Sequence, residues 1–337
     1  MKLPNHTLAV LDVGHGNSAV LIDSKGIMVI DSGPGSALLE FLIEQEIKTI
    51  DVVLISHADK DHIGGLVALL SCKEFRINCV RLNTDSLKDS ANWDDLIFEL
   101  DRATNAAELD FEPSLTSKDS GKFDRGEVHV QILGPSTYLA AKGPGSTDRN
   151  GRRISTNSVS AVIRLTMEKG PIVLLTGDLD NIGLEDLIDH KIEASAPILV
   201  FPHHGGRPGA SDMAGFTHKL CEKVLPETVV FSIGRGQHST PQPEIVAAVR
   251  EYASETRIAC TQLSEHCASA LPIEDPGHLN TVFSQGREGR KCCSGTIIIN
   301  LDDFDTILPS YSAHTAFITT NAQMALCMEK KQKIQKA

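Results

Sequence analysis

The chain has no apolar run long enough to cross a bilayer. Stretches such as 52–55 and 198–201 fall far short of the roughly 20 residues that a spanning helix needs. Its opening Met1-Lys2-Leu3-Pro4-Asn5 lacks the apolar segment and small-residue cleavage site of a secretory leader. The eight cysteines lack the regular spacing of a disulfide framework, which in a chain of 337 residues favours a reducing compartment. Positive charge is also short. With 32 Lys and Arg against 44 Asp and Glu, the formal charge is −12, unlike the basic face of a general nucleic-acid coating protein. Together these absences set the expectation of a cytoplasmic protein with no membrane segment.

What is present is the composition of a soluble globular chain, long enough for one large α/β domain or two ordinary ones. The acidic balance leaves a nuclease open, because carboxylates gathered in one site bind divalent cations that reverse the local sign. The basic residues that could meet a polyanion are clustered. Arg149, Arg152 and Arg153 fall in the Gly-rich stretch 143–153, and Arg287, Arg290 and Lys291 in a second turn-rich stretch. Both clusters read equally as solvated loops.

Apolar runs at 7–13, 19–22 and 27–30 predict an opening strand meander, split by Gly14 to Asn17 and by a turn at 23–26. An amphipathic helix is expected over 37–46, with Leu38, Phe41 and Leu42 on one face. Residues 51–55 read as a buried strand that ends directly at Ser56-His57, with a helix over 63–70. A strand that delivers a polar cluster at its carboxyl end is where α/β proteins place their sites. The acidic stretch 84–122, with a helix around 93–107, reads as an insertion or lid. Strands are expected again at 127–133, 159–166, 172–176, 198–201, 229–233 and 257–261, and a helix at 243–253. Residues 262–337 read as a carboxyl-terminal extension with one clear strand, 296–301, and a frayed lysine-rich tail from Glu329.

The densest chemistry lies in Ser56-His57-Ala58-Asp59-Lys60-Asp61-His62-Ile63-Gly64-Gly65. Carboxylates at close range raise each other's pKa, and divalent metal removes that cost. His57 and Asp59 alternate and can meet one ion, while Asp61 and His62 at the helix start can meet a second. Gly64 and Gly65 allow close backbone packing beneath them. The bland alternative is a helix N-terminus decorated with Asp and hydrogen-bonded His.

This segment, H-x-D-x-D-H-x-G-G, resembles the H-x-H-x-D-H motif of the metallo-β-lactamase superfamily, with Asp59 in place of the second His. The variant is similar to the soluble hydrolase domain of ComEC-type DNA-uptake proteins. Further matches follow in family order across residues 7–261. They are Leu11-Asp12-Val13-Gly14-His15-Gly16-Asn17, with His15 where Gln is usual; Ile30-Asp31-Ser32-Gly33; Asn157-Ser158-Val159-Ser160; Leu175-Thr176-Gly177-Asp178; Pro202-His203-His204-Gly205-Gly206; Ser232-Ile233-Gly234-Arg235; and Pro241-Gln242-Pro243-Glu244. The resemblance implies an α/β fold over 1–261, an αββα sandwich of two mixed sheets flanked by helices. It also implies a hydrolase that uses two divalent ions, zinc or manganese, with magnesium also open.

On the same resemblance His57, Asp59, Asp61, His62, Asp178 and His203 are expected metal ligands, with Asp178 bridging and His203 on the second ion beside Asp61 and His62. Asp61 would also help orient the attacking water, and His204 or His238 would protonate the leaving oxygen. Asp31 and Asn157 would orient ligands from behind, Asp12 would fix a turn, and Arg207 and Arg235 would face the substrate. The superfamily's third His has no counterpart, since His129 sits mid-strand and reads as packing. The resulting oxygen-rich set shifts preference from zinc toward manganese or magnesium. Cys260, Cys267, Cys292 and Cys293, with His266, read either as a structural zinc site or as buried thiols, and His278, in a Pro-Gly turn, reads equally as solvent-facing. The expected activity is phosphodiester hydrolysis of DNA, RNA or a small nucleotide. Thioester or lactam hydrolysis is the alternative within the fold, and a non-catalytic binding module the alternative outside it.

Overall fold

The structure, a computed structural model, describes residues 2–328 apart from 210, 275 and 323, so the lysine-rich tail lies outside the described residues. Strands β1 (Thr7–Val10), β2 (Ser18–Asp23) and β3 (Gly26–Ser32) pair antiparallel as a meander. Period-two alternation sends Leu8, Val10, Ala19 and Leu21 to one face and Ala9, Val20 and Ile22 to the other. Helix α1 (Ala37–Glu44) covers the second face with Leu38, Phe41 and Leu42. Next come β4 (Thr49–Ile50), β5 (Val52–Leu54), α2 (Lys60–Ser71), β6 (Arg76–Ile77), β7 (Cys79–Arg81), α3 (Ala91–Asn105) and β8 (Asp110–Glu112). From β3 the sheet grows in parallel through β5, β7 and β8, while β4 and β6 pair to one side. Helix α2 begins earlier than hydrophobic periodicity predicts. Asp59 takes its N-cap and Asp61 its first turn, where the helix dipole favours negative charge. Residues 84–122, expected as an insertion or lid, are built into this layer instead: Trp93, Leu96 and Leu100 of α3 share the core of α1 and α2, and β8 forms the sheet edge.

The second sheet is built from β9 (His129–Gly134), β10 (Val162–Met167), β11 (Gly170–Leu175), β12 (Ile198–Val200), β13 (Thr228–Phe231) and β14 (Arg257–Cys260). Its order is β14-β13-β12-β11-β10-β9, antiparallel from β9 to β11 and parallel from β11 to β14. Helices α4 (Thr137–Lys142), α5 (Asn181–Asp189), α6 (Met213–Val224) and α7 (Pro243–Tyr252) connect these strands. Asp180 and Asp212 cap α5 and α6 by accepting amide N–H bonds, and Pro243 occupies the first turn of α7.

The segment after residue 261 does not stand apart as an extension. It contributes β15 (Ile297–Asn300), β16 (Ile307–Leu308) and α8 (Tyr311–Asn321). β15 pairs antiparallel with β1 and β16 with β15, which completes an eight-stranded first sheet ordered β16-β15-β1-β2-β3-β5-β7-β8. Without them β1 would be an unpaired edge with an apolar face. Ile297 and Ile299 enter the core between the sheets, beside Leu54, Ile163, Val173 and Val200. Phe317 and Ile318 of α8 pack with α5, α6 and α7 on the outer face of the second sheet. The expected αββα sandwich of two mixed sheets is therefore the observed architecture.

Ile299→Ala is expected to destabilise the chain by about 2–5 kcal/mol, read from the midpoint of urea unfolding. A change within about 0.5 kcal/mol, the range of exposed surface substitutions, would show β15 to be dispensable.

Candidate metal centre

The strands of both sheets end at one edge, and their carboxyl-terminal loops bring the chemistry together. Ser56 and His57 follow β5, Asp59 caps α2, and Asp61 and His62 lie in its first turn. Asp31, near the end of β3, has a left-handed φ of 57°, a strained conformation for a non-glycine residue. Its carboxylate accepts the Ser56 N–H at 2.7 Å and the Ser56 hydroxyl at 2.8 Å, and lies 2.7 Å from His62 Nδ1. Gly65 allows α2 to lie on this turn. Its N–H donates to the Gly33 carbonyl at 2.6 Å, and a Cβ there would collide with the Ser32 carbonyl.

Asp178 follows β11 and donates its own N–H to Ser160 Oγ at 3.0 Å. The preceding Gly177 has a φ of 51°, and a Cβ on it would collide with Ser160 and Ser56. After β12, His203, His204 and Gly205 take left-handed φ values of 52°, 56° and 75° in succession. That turn presents the two imidazoles to opposite oxygens of one carboxylate. Asp178 Oδ2 lies 3.9 Å from His57 Nε2 and 3.5 Å from His203 Nδ1. Asp178 Oδ1 lies 3.3 Å from His62 Nε2 and 3.6 Å from His204 Nε2. Asp59 Oδ2 falls on the His57 side, 3.5 Å from its Nε2, and Asp61 Oδ2 on the His204 side, 3.1 Å from its Nε2. His204 Nδ1 donates to the Ser232 carbonyl at 2.8 Å, which leaves Nε2 as the acceptor nitrogen. His204, not His203, therefore stands beside Asp61 and His62, the reverse of the expected pairing.

Burial opposes the charge on Asp178, yet His204, His62 and His203 hold its pKa well below the carboxylate range. Asp61 is likewise lowered against burial by His204 and His62. Asp59 falls to about 2, with burial outweighed by bonds to His57 and Lys88. For His62, burial is outweighed by Asp31 and Asp178, which raise it. These carboxylates stay ionised only because positive charge faces them. His57 Nε2, His62 Nε2, Asp178 Oδ1 and His203 Nε2 are buried with no hydrogen-bond partner. The first three face one another, and three such atoms converging would be costly in a purely structural cluster, whereas His203 turns Nδ1 to Asp178. Ligating atoms of His57, His62 and Asp178 lie within 4.8 Å of one another, as do those of His15, Asp61 and His204. Imidazole nitrogens and carboxylate oxygens at this spacing fit divalent metal.

An open cavity of about 850 Å³ lies over these residues, with His15, Lys60, Arg207 and His238 in its wall. The His15 ring is 4.4 Å from those of both His204 and His238, and burial together with His204 lowers its pKa to about 4. Its sequence signal was the replacement of the usual Gln. Lys88, from the stretch expected as a lid, pairs with Asp59 Oδ1; nothing in the sequence marks it. Asn157 Oδ1 is buried without a partner. Asp12 accepts the Gly14 N–H at 3.2 Å and the Gln262 side chain at 2.9 Å, which ties the β1 turn to the chain after β14.

Several expected residues lie elsewhere. The Arg235 guanidinium donates to the carbonyls of Leu263, Ala268 and Ser269 and does not line the cavity. His129 is exposed at the start of β9, 2.9 Å from Asp124, rather than packed. The zinc site expected at Cys260, Cys267, Cys292 and Cys293 does not assemble. Cys292 donates to Asp12 at 3.3 Å, and His266 turns to the Ser239 carbonyl. Cys260, Cys267, Cys293 and Cys327 do share a small cavity with His314, but among the described residues the cysteines form no set of three ligating atoms within 4.8 Å. His278 is half-buried and stacked on Phe317 at 4.1 Å rather than open to solvent.

The family model of the metallo-beta-lactamase superfamily matches residues 11–230, and the chain belongs to that superfamily. Among curated proteins it is similar to ComE operon protein 3 of Bacillus subtilis (strain 168), 23% identical over 268 residues that cover 72% of this chain and 30% of that protein. It is also similar to a hydroxyacylglutathione hydrolase of Shewanella loihica, 29% identical over 86 residues covering 25% of this chain and 33% of that protein. The chain thus spans about a third of the length of these relatives. Solved structures that resemble it include the metallo-beta-lactamase fold protein YhfI from Bacillus subtilis, at a TM-score of 0.46 and 11% identity, covering 75% of this chain and 96% of that one. Among the described residues no helix is long and apolar enough to cross a membrane.

Removing the group that orients His62 should loosen metal without touching a ligand. Asp31→Ala is expected to weaken zinc or manganese binding by about 10–100-fold, measured by competition against a chelating dye. Unchanged affinity would show that His62 needs no such support.

Proposed function

We propose that the chain hydrolyses phosphodiester bonds, and that Asp178 and the side chains on either side of it would hold two divalent ions for that purpose. The observation that carries this reading is the partition of the site. His57, Asp59 and His203 gather on the Oδ2 side, and Asp61, His62 and His204 on the Oδ1 side. His203 thereby fills the place left by the superfamily's missing third His. Bound ions would supply Lewis acidity to a phosphoryl group and an ionised water at neutral pH. Mixed nitrogen and oxygen donors suit manganese or zinc.

The chain's own residues do the rest. Asp31 and Ser56 fix the rings of His62 and His57, and Lys88 holds the outer oxygen of Asp59. Lys60 and Arg207 at the cavity wall meet phosphate oxygens. His204 donates from Nδ1 to the Ser232 carbonyl and turns its acceptor Nε2 toward Asp61 and Asp178, where it would face a metal, which leaves His238 as the proton donor to the leaving oxygen, its ring packed against His15. Thioester hydrolysis is the second reading, favoured by the short match to a hydroxyacylglutathione hydrolase. The oxygen ligand Asp59 and the cations at the wall weigh for the phosphodiester. The eight cysteines are all free, in keeping with a reducing, cytoplasmic setting.

Elemental analysis should find two ions per chain, with one lost in His203→Ala and one in His204→Ala. Loss of the same single ion in both variants would overturn the partition. Manganese-dependent cleavage of bis-p-nitrophenyl phosphate should fall in Asp61→Ala by more than the roughly 10–100-fold that an orienting partner is worth, with an unchanged circular dichroism spectrum. Turnover of a glutathione thioester with no cleavage of the phosphodiester would favour the second reading.

A further inference from the structure

We infer that the substrate is a compact anion, a phosphodiester of mononucleotide to dinucleotide size, and that Thr240 recognises the part of it that is not phosphate. This rests on the phosphodiesterase reading above. A protein that grips a long nucleic acid neutralises a row of phosphates with Lys and Arg, well beyond the bond that is cut. Most of the arginines that the sequence offers for that purpose are engaged within the fold, while Arg153 and Lys291 are exposed outside the cavity lining. Arg152 is paired with Asp148 and Glu185, and Arg149 lies 4.9 Å over the Tyr138 ring. Arg235, Arg287 and Arg290 donate to main-chain carbonyls. None of the five lines the cavity, where Lys60 and Arg207 are the two Lys or Arg residues among the described lining residues. The chain as a whole carries a formal charge of −12, which repels a polyanion at a distance. The cavity thus offers two cationic side chains among its described lining, as suits one or two phosphates.

The opposite wall has the character needed for a sugar or base edge. It is neutral and polar, formed by Gln237, Thr240 and Gln242. Thr240 is 4% exposed, and its Oγ1 is buried without a hydrogen-bond partner. A buried hydroxyl left unpaired in a cavity wall is explained when a ligand completes it. Thr240 lies on the chain between His238 and α7, beside the proton donor and outside the ligand set.

The test uses the manganese-loaded full chain and a series of one sequence: a linear dinucleotide, a cyclic dinucleotide, a 10-mer and a 40-mer single strand. Cleavage per bond is expected to be fastest for the dinucleotides and not to rise with length. The logarithm of kcat/KM should fall against that of salt with a slope no steeper than about −2, the counterion release of two contacts. Thr240→Val should raise KM for the dinucleotide by about 2–10-fold, one hydrogen bond's worth. It should leave bis-p-nitrophenyl phosphate, which has neither sugar nor base, unchanged. A 40-mer preferred tenfold or more per bond, a slope steeper than about −4, or equal effects of Thr240→Val on both substrates would overturn the inference. If the wild-type chain cuts no member of the series and no simple diester, the phosphodiesterase reading itself falls.

Discussion

The site depends on one buried carboxylate with four imidazoles around it. Asp178 stands at the end of a central strand of the second sheet, and each of its oxygens faces one His from the α2 turn and one from the β12 turn. Neither sheet alone could build this arrangement. His57 and His62 hang from the first sheet and Asp178, His203 and His204 from the second, so the packing between the sheets sets the distance between the two halves of the centre. A shift in that core would move the candidate ligands apart.

The local backbone shows the cost of holding that geometry. Asp31, His203 and His204 adopt left-handed φ values, which cost of order 1–3 kcal/mol each for non-glycine residues. Each is compensated nearby. Asp31 receives both donors of Ser56 and faces His62, and the His203–His204 turn is closed by Gly205 and by the Ser232 carbonyl on His204. Ser56 links the halves a second time, since its carbonyl accepts the Ala161 N–H ahead of β10. Strain of this kind persists only where surrounding contacts over-determine it, and here these contacts gather around the ligands.

Most of the first sheet and the strands of the second were legible because each reads as a short apolar run bounded by turns, and alternation alone places Leu8, Val20 or Val29 on the correct face. The main motif stood out for a different reason: its candidate ligands are neighbours in sequence. What escaped depends on contacts between distant residues. The pairing of Ile297 with Val10 joins chain ends that no local pattern connects. The exchange of roles between His203 and His204 follows from a left-handed turn, which leaves no trace in a pair of identical residues. α6 has an apolar stripe of Phe216, Leu220 and Val224, yet it lies in a stretch where metal motifs dominate the reading. Arg235 and Cys292 are misread for one reason. Type and position fit a site, while the actual partner, a carbonyl or Asp12, comes from loops that only the fold brings close.

The departure at position 59 ties the ligand set to the charge of the whole chain. Three carboxylates on two divalent ions would leave a centre less positive than one in which His occupies that place, and Lys88 on Asp59 Oδ1 restores part of the difference. On the phosphodiesterase reading, such a centre would need little further charge to hold a single phosphate, and Lys60 and Arg207 line the same cavity at short range. Beyond a Debye length of about 8 Å at physiological salt, an approaching molecule meets instead the field of an acidic surface. Selectivity then lies in reach. On the proposed reading a small anion would enter far enough to exchange the repulsive outer field for the attractive inner one, while a long polyanion would leave most of its phosphates outside.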